Sequence, residues 1–330
     1  MDGKIIGLEV GRQEVGQAGS WIKGHPDNVD HITGKSEIYC SPLVATPVKV
    51  GAAPMRMLDI LPEKYKGEDL SCLKDISPQD FYLRFADFAQ GVPGFENAFA
   101  ASYIRGLSFP GSKVTDADVV KLAKFGTLRV LDLSGSAVTD QALDAVAKMT
   151  ALVTLDLSRT TVSDAGLAKL KGLSKLTNLY LNETAIGDSG LQAVAALPGL
   201  RILGLAQTKL SDAGLASLGS LKELRVLDLS RTAVSDVAPL SALPNLGQLL
   251  LEKTKVTDAT LGKLNGLQAL TTLDLNGTAI DGSSLKNLGG NAKLSYLALK
   301  GTKVDDKTLA AVATFKNLAV LDLTGTGIGD

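Results

Sequence analysis

The chain is short of almost every residue that carries chemistry. It has two histidines, His25 and His31, two cysteines, Cys40 and Cys72, and one tryptophan among 330 residues. The histidines are six apart in a stretch rich in Gly, Pro and Asp, so no Ser/His/Asp or Cys/His set can be assembled around them. Asp27 and Asp30 lie between them, but the spacing fits no standard metal-ligand pattern, and no metal or cofactor is expected. Two cysteines are compatible with one bridge or with two buried thiols. Gly7, Gly11, Gly16 and Gly19 do not form a dinucleotide or phosphate loop. Aromatics are only 5% of residues, so aliphatic side chains must supply the core. There is no run of 18 apolar residues, which excludes an apolar helix long enough to span a membrane. The start, MDGKIIGLEVGRQEVGQ, has no apolar stretch of signal-peptide length, which favours a cytoplasmic location; a chain whose signal had been exchanged for Met would read the same. The net charge is −1, so there is no basic footprint for nucleic acid.

What the chain has in plenty is leucine at fixed spacing. From Ile104 onward a unit recurs with opening positions Ile104, Leu128, Leu152, Leu176, Leu200, Leu224, Leu246, Leu270, Leu294 and Leu318. All steps are 24 residues except Leu224 to Leu246, which is 22. This makes nine full repeats and the start of a tenth over 104–330, with a non-repeating segment, 1–103, before them. A period of this length marks a solenoid, in which each unit buries its apolar face only against its neighbours.

One unit shows the logic. In LVTLDLSRTTVSDAGLAKLKGLSK, Leu152 to Lys175, the leucines of L-x-x-L-x-L point inward and Thr154, Asp156 and Ser158 point outward, because side chains alternate along a strand. One short parallel strand per repeat is expected, near 130–133, 154–157 and so on to 320–323. Three residues after the last strand leucine a hydroxyl recurs, Ser136, Thr160, Thr184 and onward, suited to bonding the turn backbone. A Ser/Thr-Asp pair follows, as at Ser211-Asp212, and is read as a helix cap with a favourable charge at the helix N-terminus. Leu167, Leu170 and Leu173 then form the inward stripe of a short helix. Val226 to Asn245 is the short unit, and Pro239 and Pro244 favour a 3₁₀ turn there. Asn291 stands where other units place Leu, Met or Phe, next to Gly289-Gly290, so a looser turn is expected.

These units resemble bacterial leucine-rich repeat proteins, especially the 24-residue arrays with T-x-V-T/S-D-A-G-L; the 22-residue unit is similar to the internalin type. The resemblance covers Ile104 to Asp330 and implies an α/β solenoid: a parallel sheet on the concave face and short helices on the convex face. It also implies a non-enzymatic binding scaffold for a protein partner, since solenoids present surfaces.

Departures from the unit are the candidates for function. The middle outward position is usually Asp, as at Asp132, Asp156, Asp228, Asp274 and Asp322, but Tyr180, Gly204, Leu250 and Ala298 replace it. With Ile202 and Val226 at the preceding outward position, Tyr180, Ile202, Val226 and Leu250 form an apolar band over four adjacent strands, with a dip at Gly204. All six arginines of the repeats flank strands, and Arg159 and Arg231 are placed at the rim of this site. Pairing of these arginines with the outward aspartates is the competing account.

Residues 1–103 are read as a cap for the first repeat. Lys4–Val10 and Glu37–Val50 contain strand-like stretches, and Ser77-Pro78 is read as starting a helix through Phe81, Phe85 and Phe88. Leu61-Pro62-Glu63 and then Ile76-Ser77-Pro78-Gln79-Asp80-Phe81 loosely resemble an F-box, which would make this segment an adaptor or effector, although the spacing is too long. A further alternative is a structural subunit joined through residues 1–103 or through the C-terminal edge strand, Val320 to Leu323.

Overall fold

The computed structural model describes residues 8–12, 32–33, 56–60, 81–85 and 104–329. The chain divides into two compact units, Met1–Thr160 and Thr161–Asp330.

In the first unit, strands β1 (Leu8–Arg12), β2 (Ile32–Thr33), β3 (Arg56–Ile60), β4 (Phe81–Arg84), β5 (Ile104–Ser108), β6 (Val130–Asp132) and β7 (Thr154–Asp156) lie side by side in the order β2-β1-β3-β4-β5-β6-β7. From β3 to β7 every pair is parallel, while β1 is antiparallel to both β2 and β3. The repeat strands therefore continue into the non-repeating segment. Here the expected helix through Phe81 and Phe85 is corrected: Phe81–Arg84 is a strand. Leu83 and Phe85 are two apart and both fully buried, which is strand periodicity. Leu83 pairs with Leu107, and the Phe85 ring stacks on Phe109 with centroids 5.2 Å apart. A three- or four-residue aromatic spacing fits a helix, but the ready edge of β5 offers the backbone of 81–85 a ladder of hydrogen bonds instead. Phe88, the cysteines, the histidines, Glu37–Val50 and the F-box-like residues before Phe81 lie outside the described residues.

In the second unit, β8 (Asn178–Tyr180), β9 (Ile202–Gly204), β10 (Val226–Asp228), β11 (Gln248–Leu250), β12 (Thr272–Asp274), β13 (Tyr296–Ala298) and β14 (Val320–Asp322) form a parallel sheet in chain order. The register never slips: Ile202, Val226, Gln248, Thr272, Tyr296 and Val320 stand in one row. Each strand is only three residues long, because the second and third leucines of L-x-x-L-x-L need just that length to reach the core. Those leucines, for example Leu203, Leu205, Leu227 and Leu229, are fully buried, and each contributes roughly 2 kcal/mol that only stacked neighbours can supply.

The chain returns through short helices: α1 (Asp116–Leu122) and α2 (Leu143–Val146) in the first unit, and α3 (Asp164–Leu167), α4 (Asp188–Val194), α5 (Asp212–Leu215), α6 (Asp258–Leu261) and α7 (Leu309–Val312) in the second. The 22-residue repeat has no α-turn and passes through a 3₁₀ segment, Ala238–Ala242, with Pro239 in its first turn. Proline suits that position because the first helical N–H groups have no intrahelical partner.

Two polar columns hold the turns. The Ser/Thr hydroxyls donate to the carbonyl three residues back: Thr184 to Leu181, Thr208 to Leu205 and Thr232 to Leu229, at 2.6–2.7 Å. The aspartates after the Ser/Thr sit in the first turns of the helices, where their charge is favourable, and the Ser211 hydroxyl accepts the Ala213 N–H at 3.4 Å. Asp212 also accepts from the next repeat, taking the Ser235 N–H at 2.7 Å, the Ser235 hydroxyl at 2.6 Å and the Asp236 N–H at 2.9 Å. Asp116 does the same for Thr139, Asp188 for Ser211, Asp258 for Ser284 and Asp306 for Gly329. The glycine of D-A-G-L makes room for this ladder: a Cβ on Gly214 would sit 2.6 Å from Asp188 Oδ1. In the short repeat Asp236 turns to its own Ala238 N–H at 2.9 Å.

Asn291 is 2% exposed, and among the described residues neither its amide oxygen nor its amide nitrogen has a partner. Its turn is not loose: Asn291 N–H donates to Leu288 at 2.8 Å, as Leu267 N–H does to Leu264 at 3.0 Å.

Candidate functional site

The alternation of each strand puts three side chains per repeat on the sheet face. In the second unit, Ile202 of β9 stands directly beside Val226 of β10, and Tyr180 of β8 stands beside Gly204 of β9. Leu250 of β11 neighbours Asp228 of β10 and Asp274 of β12. The four apolar residues expected to form a band therefore occupy one stretch of β8–β11, in two rows rather than one.

Their exposure differs from the expected open band. Tyr180 is 4% exposed, Ile202 4% and Val226 7%, and only Leu250 is half-buried. Neighbours account for this. A Cβ built on Gly204 would lie 3.2 Å from the Tyr180 ring and 2.9 Å from the Asn182 amide oxygen. The expected dip at Gly204 is thus filled, because the ring of Tyr180 and the amide of Asn182 fold over the missing side chain. Asn182 is held there by accepting the Ala206 N–H at 2.8 Å.

The turn after each strand carries a signal that composition hides. Glu183, Gln207, Arg231 and Lys253 all have φ between 52° and 59°, in the left-handed region, whereas Gly277, Gly301 and Gly325 fill the same place in the later repeats. An L-residue there costs roughly 1–2 kcal/mol in conformation. The backbone gains nothing for it: the Gln207 N–H donates to the Ser230 carbonyl at 2.8 Å, as the Gly277 N–H does to Lys300 at 2.8 Å. Glu183, Gln207 and Lys253 lie in the same repeats as Tyr180, Gly204 and Leu250, and Arg231 lies in the repeat of Val226 and Asp228. Arg231 was expected at this rim; Glu183, Gln207 and Lys253 were missed. Aligning the column by number, with Gly giving way to long polar residues, would have found them.

Arg231 bonds the Glu252 carboxylate at 2.9 Å, and Lys253 approaches the same group at 3.3 Å. Its partner is therefore a glutamate at the turn edge, not the outward aspartates. In the first unit, Arg159 holds the same left-handed turn position, with φ 56°, and is exposed. Its charge partly offsets the rise in Asp156, whose carboxyl is pushed up to about 6 chiefly by burial and by neighbouring Asp132.

The sheet-face aspartates share one geometry. Asp228 takes the Ser230 N–H, Asp274 the Asn276 N–H and Asp322 the Thr324 N–H, each at 2.9 Å. Burial, then Glu252, hold the Asp228 carboxyl above the ordinary range. Asp274 is raised by burial above all and further by Glu252, Asp228 and Asp322. Asp322 is lowered by its bonds from Thr324, with help from Lys300.

Among the described residues no group of three or more His, Cys, Asp or Glu could hold a metal ion, and no helix is long and apolar enough to cross a membrane.

Comparison with known proteins agrees with this geometry. An internalin from Listeria monocytogenes superposes with a TM-score of 0.60 at 20% identity, covering 77% of this chain and 76% of its own. Internalin C2 of the same organism gives 0.49 at 28% identity, covering 64% and 84%. A plant peptide hormone receptor, RGFR1 in complex with RGF2, gives 0.49 at 14% identity, covering 77% and 48%. A search of curated proteins finds no match. The profile of the leucine-rich repeat region matches residues 104–280, more than half of the chain. With its 24-residue units, parallel one-strand repeats and buried leucine columns, the chain belongs to the leucine-rich repeat family.

Proposed function

We propose that this protein-interaction scaffold binds a protein partner through the sheet face of its second unit, at Tyr180, Ile202, Val226 and Leu250, with Arg231 contributing from the strand-flanking turn. The observation that carries it is a coincidence of two departures. Apolar side chains replace polar ones in the same repeats that place Glu183, Gln207, Arg231 and Lys253 in strained turn conformations. Backbone strain persists where side chains are needed for something other than stability. Leu250 is the half-buried apolar group with area left to bury. The test is to isolate a partner with the intact chain and measure its affinity for Tyr180→Ala and Leu250→Asp. Each change should weaken binding by about 1–3 kcal/mol with an unchanged circular dichroism spectrum. Equal affinity in both variants would place binding elsewhere.

A further inference from the structure

The middle row of the sheet face in the second unit alternates from β10 to β14: Asp228, Leu250, Asp274, Ala298, Asp322. Carboxylates stand on every other strand and apolar side chains between them. Adjacent strands are about 4.8 Å apart, so carboxylates on alternate strands are about 9.6 Å apart. Ala298 is buried and small, and Tyr296 stands on the same face of the same strand, half-buried, beside it. Each carboxylate accepts the N–H two residues on, which leaves capacity for further donors.

Nearby Arg231 and Lys253 are engaged with Glu252 at the turn edge. The charge of this row is offset at Asp322, where Lys300 acts, while the charged groups acting on Asp228 and Asp274 are acidic. A partner cation would relieve that repulsion, and an anionic partner would worsen it.

Spacing selects the partner's conformation. A β-strand places same-side residues about 6.7 Å apart, out of step with the row. A polyproline II segment rises about 3.1 Å per residue with three residues per turn, so every third side chain returns to the same side after about 9.3 Å. That matches alternate strands.

We propose that the face from β10 to β14 takes an extended basic segment of a protein, in polyproline II conformation and lying across the strands, with Arg or Lys at every third position over Asp228, Asp274 and Asp322. Leu250, half-buried, packs against the segment between the first two cations, and the half-buried Tyr296 ring flanks the middle one. A guanidinium suits the site because its planar donors can reach a carboxylate in pairs. This rests on the reading that the sheet face is the binding face, and adds the chemistry and register of what binds.

The experiment uses the intact chain and labelled synthetic peptides, read by fluorescence anisotropy at low and moderate salt. One peptide repeats Arg-Pro-Ala; a second has the same composition with Arg at every second position; a third replaces Arg with Glu. The first should bind at least ~10-fold more tightly than the second, the third should not bind, and affinity should fall as salt rises. Asp274→Asn should weaken the first peptide about 5-fold or more, and the combined Asp228→Asn, Asp274→Asn, Asp322→Asn variant much further, because Asn keeps the oxygen that accepts the turn N–H but loses the charge. If the triple variant does not fold, Asp274→Asn alone decides. Equal affinity for both Arg spacings, affinity indifferent to the Asn changes, or binding of no peptide would each overturn the proposal. A partner lost on Leu250→Asp yet indifferent to all three Asn changes would overturn it while leaving the binding face itself standing.

Discussion

Two columns of aspartate run through these repeats with nearly the same period and opposite surroundings. On the helix side, Asp212 is gripped by three donors of the following repeat. Burial alone would raise its carboxyl, but the bonds from Ser235 and Asp236 outweigh burial and leave it below the ordinary range. On the sheet face, Asp156 and Asp228 bond only within their own turn and lie beside other acids, and burial drives both carboxyls up. The helix-side column joins repeats, while Asp156 and Asp228 hold charge that burial disfavours on the sheet face. Identical residues thus divide into structure and candidate function according to what the neighbouring repeat presents.

The sharpest way to break that contrast is truncation. Asp212→Ala strands two N–H groups and a hydroxyl, and should cost about 2–3 kcal/mol, read as a fall in the thermal midpoint. Asp228→Ala removes a charge that burial disfavours and should change stability by less than about 0.5 kcal/mol, or raise it. Equal losses in the two variants would end the distinction.

pH separates Asp156 from Asp212 by sign. Asp156 has a folded-state pKa of about 6 against an ordinary 3.8, so between those values the folded state binds the extra proton. Its contribution makes the protein more stable as pH falls through that window, by on the order of 3 kcal/mol, and less stable as pH rises. Asp156→Asn should abolish that slope in urea titrations and stabilise the protein at neutral pH. Asp212 is depressed, so its contribution is present above the ordinary carboxylate range and is lost on acidification. An Asp156→Asn variant with the parental pH profile would contradict the sheet-face assignment.

Asn291 extends the comparison to a buried amide that no repeat satisfies. Asn291→Leu restores the apolar residue of the other repeats and should stabilise by about 1–2 kcal/mol in thermal or urea unfolding. A loss of stability would mean that the amide is paired in solution.

The smallest effect tests the strained turns. Gln207→Gly relieves a left-handed conformation and should stabilise by about 0.5–1 kcal/mol. Gly301→Ala, where an added Cβ meets nothing within 4 Å, should cost a similar amount through the backbone alone. If Gln207→Gly destabilises, its side chain serves the fold and drops out of the candidate rim.

Much of this was legible before any coordinates. The leucine columns named the strands, the hydroxyl column named the turn bonds, and Pro239 named the 3₁₀ segment, since each depends on residues only a few positions apart. The candidate site was legible as a set of outward positions, Tyr180, Ile202, Val226 and Leu250, but not as a surface. That Tyr180 closes over Gly204 depends on a side chain from one repeat folding onto the next. The strand at Phe81–Arg84 was misread as a helix, because phenylalanine spacing is a local signal and the exposed edge of β5 is not.

The sequence by itself determined the repeat, its inward columns and the position of every outward residue, because strand alternation and a 24-residue period are properties of the chain alone. Tertiary structure decided where each polar group found its partner. The hydrogen bonds that satisfy Asp212, expose the charge of Asp274 and strand Asn291 are made or missed between residues some 24 positions apart, brought within bonding distance only when one repeat stacks on the next.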